Sequence, residues 1–164
     1  MIKKNNKIEK IGIFVDVQNI YYTCRQAYQG NFDYTKFWNV VTNDREVVCA
    51  YAYATDKGDI KQEKFQNILK KIGFSIQLKS MLKRKDGTVK ADWDVGIALD
   101  VFEKASQCDT IILASGDGDF GILLDRIRER FKTKSEVYGV RELTSNQLIG
   151  PASDFIPIDK KFIL

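Results

Sequence analysis

Two stretches of the chain are apolar almost without interruption, Ile11-Gly12-Ile13-Phe14-Val15 and Thr110-Ile111-Ile112-Leu113. Short runs of this kind predict strands buried on both faces. Glu46 to Ala54 is rich in strand formers, Phe74 to Lys79 alternates apolar and polar, and Ser135 to Val140 completes a set of five predicted strands. Between them apolar residues recur at helical spacing, over Ile20–Tyr28, Tyr34–Val41, Ile60–Ile72, Asp92–Ala105 and Gly121–Ile127. Gly73 stops the third of these helices. A short helix over Ser145–Ile149 and an extended segment over Asp154–Ile158 follow. Strand and helix alternate throughout, which predicts the α/β class: a three-layer α/β/α, Rossmann-like domain with a mainly parallel five-stranded sheet.

Composition narrows the chemistry more than the fold. A chain of 164 residues with 44% hydrophobic content suits one domain, taken as residues 8–164 behind a polar, frayed start at 1–7. Asp16 interrupts the first apolar stretch too early for a signal peptide, and no run reaches the length of a membrane span. A soluble, cytoplasmic protein is the expectation. The three cysteines, Cys24, Cys49 and Cys108, have no ligand-like spacing and read as reduced, mostly buried thiols. There is no histidine. Its absence removes Ser-His-Asp and Cys-His nucleophile pairs, histidine general-acid ribonuclease chemistry and the usual zinc sites. Hydrolysis by this chain would rest on carboxylates and hard cations.

The carboxylates fall where such chemistry needs them. Ala114-Ser115-Gly116-Asp117-Gly118-Asp119-Phe120 joins a buried strand to a helix, which places Asp117 and Asp119 at the carboxyl edge of the sheet, where open α/β folds bind ligands. Gly116 and Gly118 are expected to supply backbone angles that other residues resist. Asp16 ends the first strand, with Asn19 in or near the following helical turn. Asp94 shares the apolar face of its helix with Ile97, Ala98, Val101 and Ala105, and so points at the core or at a site. Asp92 lies about 200° around that helix and reads as its N-cap, the two acids exchanging roles if the helix starts later. Helix capping alone accounts for a single aspartate at each place, but two crowded in one glycine loop repel unless a cation or proton sits between them. Asp16, Asp94, Asp117 and Asp119, from three parts of the chain, can thus meet in one pocket. Hard divalent ions compensate such a cluster and activate water for phosphodiester hydrolysis. Asn19 and Ser115 are neutral groups able to orient phosphate or water.

The formal net charge of +4 is modest, but its distribution is uneven. Lys79, Lys83, Arg84, Lys85 and Lys90 flank a predicted turn at Lys85-Asp86-Gly87. Such lysines are either a solvated surface or a basic hairpin that grips a phosphate backbone beside the acids. Trp93 reads as helix-end packing rather than a base-stacking platform, and Asp100 as structural.

Val15-Asp16-Val17-Gln18-Asn19, then Lys90-Ala91-Asp92-Trp93-Asp94-Val95, then Ser115-Gly116-Asp117-Gly118-Asp119-Phe120, in this order, resemble a NYN domain of the LabA-like (DUF88) branch of the PIN-like nuclease superfamily. The resemblance covers residues 10 to 158 and departs in holding Ala91 where relatives often have glycine. It implies a PIN-like fold and a metal-dependent ribonuclease using Mg2+ or Mn2+. Asp16, Asp94, Asp117 and Asp119 would bind metal, Asn19 would join them in catalysis, and Ser115 and Asp92 would support them. From the charge distribution, Lys83, Arg84, Lys85 and Lys90 would hold the nucleic acid, and the resemblance makes that nucleic acid RNA. An RNA-binding module without turnover is the rival on the same fold. A haloacid-dehalogenase-like phosphatase needs an acid two residues after Asp16, where this chain has Gln18. A dinucleotide-binding enzyme needs a GxGxxG after the first strand, and none is present.

Overall fold

The computed structural model describes residues 7–56, 58–80, 82–83, 85, 89–90 and 92–164. The expected frayed start at residues 1–7 therefore lies almost wholly outside the described residues. The elements are β1 (Glu9–Asp16), α1 (Val17–Tyr28), α2 (Tyr34–Thr42), β2 (Arg45–Asp56), α3 (Ile60–Ile72), β3 (Ser75–Ser80), β4 (Leu82–Lys83), β5 (Val89–Lys90), α4 (Asp94–Ala105), β6 (Thr110–Ala114), α5 (Gly121–Phe131), β7 (Lys134–Gly139), α6 (Asn146–Ile149) and β8 (Asp154–Pro157).

Six strands make one sheet in the order β3-β2-β1-β6-β7-β8, and every neighbouring pair is parallel. The expected five becomes six because Asp154–Pro157, read from sequence as merely extended, pairs with β7. Its four residues, half of them exposed and the last a proline, carry almost no strand signal. Proline lacks the ladder donor and is tolerated there because β8 is an edge strand. β4 and β5 form a separate antiparallel hairpin between β3 and α4.

Alternation along the central strands splits the core in two. Ile11, Ile13 and Val15 face Ile20 and Cys24 of α1, Phe37 and Val41 of α2, and Leu69 of α3. Phe14, Ile111 and Leu113 face Ile97, Val101 and Ala105 of α4, and Leu124 and Ile127 of α5. Helices therefore cover both faces, and each fully buried aliphatic side chain stabilises the fold by roughly 1.5–3 kcal/mol. Asp33 and Asp59 cap α2 and α3 by accepting from the Lys36 and Gln62 backbone N–H groups. Gly73, at φ +138°, ends α3. Among the described residues no helix is long and apolar enough to cross a membrane.

This topology decides where a ligand can sit. From β1 the chain builds outward through β2 and β3, then returns to place β6 on the other side of β1 and builds the opposite way. The crevice at such a reversal, outside the carboxyl ends of the strands, is the usual binding place of open α/β sheets. Asp16 ends β1, and Ser115 directly follows β6.

Candidate metal centre

The loop after β6 is held by a network of backbone, neutral side-chain and carboxylate hydrogen bonds. Ser115 is fully buried; its N–H donates to the Tyr138 carbonyl at 3.1 Å. Its hydroxyl donates to Asp16 Oδ2 at 3.2 Å and accepts from the Asp117 N–H at 3.2 Å. Asn19 Oδ1 accepts from the Gly116 N–H at 2.8 Å, which ties the first turn of α1 to the loop. Asp16 also caps α1, accepting from the Asn19 N–H at 3.3 Å. Capping and site placement are thus two uses of one carboxylate. Asp117 accepts from the Asp119 N–H at 2.9 Å and starts the 3-10 turn Gly118–Phe120.

Gly116 and Gly118 serve a different purpose from the one expected. Neither has a positive φ; the positive-φ glycines of the described chain are Gly58 and Gly73. What they provide is room. A Cβ on Gly116 would lie 2.7 Å from the Leu143 carbonyl oxygen, and one on Gly118 would lie 2.5 Å from Ser145 Oγ. One on Gly121 would lie 2.2 Å from the Gln147 carbonyl oxygen. The segment Leu143–Gln147 buttresses the acidic loop, a role that sequence reasoning missed because the two stretches touch only in the folded chain.

Three carboxylates converge here. Asp94, Asp117 and Asp119 each offer an oxygen, and these oxygens lie within 4.8 Å of one another. Loss of hydration, then a hydrogen bond to Asp117 and the negative charges of Asp117, Asp16 and Asp92, push Asp94 up to about 7. Asp94 so placed keeps its proton to a higher pH than an ordinary carboxyl. Asp16 stands outside this triad and joins it through the Ser115 hydroxyl. Burial pushes it up to about 6 against the opposing pull of the Asn19 N–H and the Ser115 hydroxyl, with Asp117 and Asp92 adding to the rise.

Asp92 does not cap α4. The helix begins at Asp94, with Trp93 at the cap position and no side-chain cap bond. The indole sets that start: Trp93 Nε1 donates to the Ala54 carbonyl at 3.0 Å, and its ring packs 5.4 Å from Tyr53. Gly96 makes this possible, since a Cβ there would lie 2.7 Å from the indole. Asp92 is left exposed at the rim, its carbonyl accepting from Lys79 Nζ at 3.3 Å while that ammonium sits over Trp93. Asp100 accepts from the Tyr53 hydroxyl at 2.7 Å, away from the triad.

The basic hairpin leaves the carboxyl end of β3 and returns to the helix that begins with Asp94. The Lys83 and Lys90 backbones belong to its paired strands, and Lys85 is exposed. Arg84 and the expected Asp86-Gly87 turn lie outside the described residues.

The NYN domain family model matches residues 10–159. The chain is 30% identical over 129 residues to the Low amplitude and bright protein LabA of Synechococcus elongatus, covering 74% of this chain and 69% of that protein. It is also similar to a solved structure, a protein of unknown function from Vibrio parahaemolyticus. That similarity has a TM-score of 0.94 at 52% identity, over 98% of this chain and 99% of the other.

Proposed function

The chain belongs to the NYN domain family, and from that premise we propose that it is a divalent-metal-dependent ribonuclease hydrolysing phosphodiester bonds of RNA. The observation that carries this reading is the meeting of Asp94, Asp117 and Asp119 within 4.8 Å at the point where the sheet reverses. The donors are hard oxygens and the chain has no histidine, a set that fits Mg2+ or Mn2+ and suits a softer metal poorly. When bound, such an ion lowers the pKa of water and offsets the charge of the phosphodiester.

The residues of the chain have distinct tasks in this scheme. Asp94, Asp117 and Asp119 would hold the ion, whose charge would favour the ionised form of Asp94. Asp16 steadies the Ser115 hydroxyl and stands ready as a fourth carboxylate. Asn19 fixes the Gly116 N–H and so the position of the loop. Lys83, Arg84, Lys85 and Lys90 hold the nucleic-acid backbone, and Asp92 adds charge at the rim. Gln18 occupies the place where a haloacid-dehalogenase-like phosphatase needs its acid.

The test is cleavage of labelled single-stranded RNA with Mg2+ or Mn2+, by the wild type and by Asp117→Asn. The variant should lose activity by more than roughly a hundredfold, since even outer partners of metal ligands cost ten- to hundredfold. Equal RNA binding without cleavage by either protein would make the chain a binding module and end the nuclease reading.

A further inference from the structure

A cleft of about 580 Å³ opens on the face of the sheet covered by α1, α2 and α3. Its floor is Ala54 and Thr55 at the carboxyl end of β2, and α1 and α3 are its walls. It begins at Val17 and Gln18, the residues directly after Asp16, and its floor lies just beyond Tyr53, which pairs with Asp16 at the same sheet edge. The volume falls within the range of small-ligand sites. Three of its apolar side chains are left largely in water, Tyr21 at 47%, Tyr22 at 54% and Ile68 at 55% exposure. The Arg25 guanidinium lies 5.6 Å from the centre of the Tyr21 ring, and Tyr22 meets that ring edge-on.

The chemistry of the walls selects an occupant. Among the described lining residues Asp33 and Asp59 place two carboxylates beside the ammonium of Lys61, a balance that disfavours a phosphate. Tyr21, Tyr22, Tyr34 and Phe65 offer aromatic surface, and Gln18 and Asn31 bring side-chain amides. A flat, neutral, heteroaromatic group with N–H and C=O edges suits such a lining. The nearby carboxylates, with their ion, suit the phosphate to which such a group is tethered.

We propose that this cleft receives an unpaired nucleobase next to the scissile phosphate, which makes the chain selective for single-stranded nucleic acid. The proposal rests on the nuclease reading for the position of the phosphate, and stacking on aromatic side chains supplies the affinity. A base in a duplex is stacked and paired, and cannot enter.

The experiment measures binding in chelator, where hydrolysis is silent. Fluorescence anisotropy compares a labelled single-stranded RNA, the same oligomer with abasic sugars and the corresponding duplex, with the full chain as wild type, Tyr22→Ala and Tyr22→Phe. Tyr22 is exposed, and thermal melts establish that each variant folds. The wild type should prefer the base-bearing single strand over both others. Tyr22→Ala should weaken binding of that strand roughly tenfold, Tyr22→Phe should restore it, and the abasic oligomer should register neither change. Equal affinity of wild type for the base-bearing and abasic strands, including none for either, overturns the proposal. So does competition for the cleft by an apolar peptide while both oligomers bind alike, which would reassign it to a protein partner. Cleavage is assayed separately in Mn2+. Its absence with base-dependent binding intact overturns the nuclease reading alone, and its presence without base dependence overturns this one alone.

Discussion

Asp16 carries a cost that can be measured by removing its charge. Burial raises its carboxyl from 3.8 to about 6. A shift of about two pKa units at 1.36 kcal/mol each corresponds to about 3 kcal/mol. The direction follows from proton binding. Between pH ~4 and ~6 the folded chain holds this proton and the unfolded chain has released it, so stability falls as pH rises through that window and the full cost is present above it. Asp16→Asn removes the charge and keeps an oxygen for the Asn19 N–H, and asparagine and aspartate are equivalent caps. The changed bond to the Ser115 hydroxyl returns about 1 kcal/mol. The variant should therefore be more stable than wild type by about 2 kcal/mol at pH 7.5 in chelator, a rise in Tm of about 4–8 °C for a chain of this size.

Thermal melts of the two proteins from pH 4 to 8, with chelator and then with Mn2+, provide the assay. The difference should fall as the pH drops, cross zero near pH ~4.5 and tend toward about -1 kcal/mol, the cost of the changed Ser115 bond, as Asp16 becomes protonated in both states. In Mn2+ both proteins should be stabilised through the Asp94-Asp117-Asp119 triad, by about 2.7 kcal/mol at a hundred times the Kd, and the wild type should gain more because the charge of Asp16 adds to the attraction for the ion. RNA cleavage by the variant should drop. An asparagine variant less stable at pH 7.5 in chelator, or a difference that does not vary with pH, would refute the assignment of the cost to this carboxylate.

Gly121→Ala should lower Tm by about 5 °C, because the new methyl meets the Gln147 backbone oxygen, which cannot swing aside, and overpacking of this kind costs about 1–3 kcal/mol; an unchanged melt would show that Leu143–Gln147 does not brace the loop. Replacing Lys83, Arg84 and Lys85 together with alanine should weaken RNA binding and reduce the slope of log affinity against log salt by about 2, at ~0.7 per phosphate contact for single strands. An unaltered slope would return these residues to the solvated surface.

How much of this was legible in the chain depends on the distance over which each cause acts. β1 and β6 were plain because a strand buried on both faces must be apolar along its length, so the first acid after it, Asp16 or Asp117, marks the sheet edge. The two starting turns were plain for the same reason. β8 was not, because four residues ending in Pro157 gain their ladder from β7 rather than from propensity. Asp92 offered a good local cap, yet the indole of Trp93 bonded to Ala54, 39 residues away, and set the helix start later. The glycines of the acidic loop were conspicuous, but their reason lies in the backbone of residues 143–147 and not in their own dihedral angles.

The same separation between local and distant causes bears on how the acids act. The Asp117 N–H is fixed by Ser115 and the Gly116 N–H by Asn19, both through neutral side chains. The bond from Gly116 to Asn19 does not depend on the protonation of any carboxylate, and the buttress from Leu143 to Gln147 adds a steric stop. When the acids lose their protons, the backbone that carries Asp117 and Asp119 has little freedom to spread them apart. Repulsion that cannot relax through the backbone is stored at the carboxylate oxygens, where a divalent ion relieves it directly. On the metal-dependent reading this framework would couple proton release to cation uptake, with the buried Ser115 linking Asp16 to the backbone of the acidic loop.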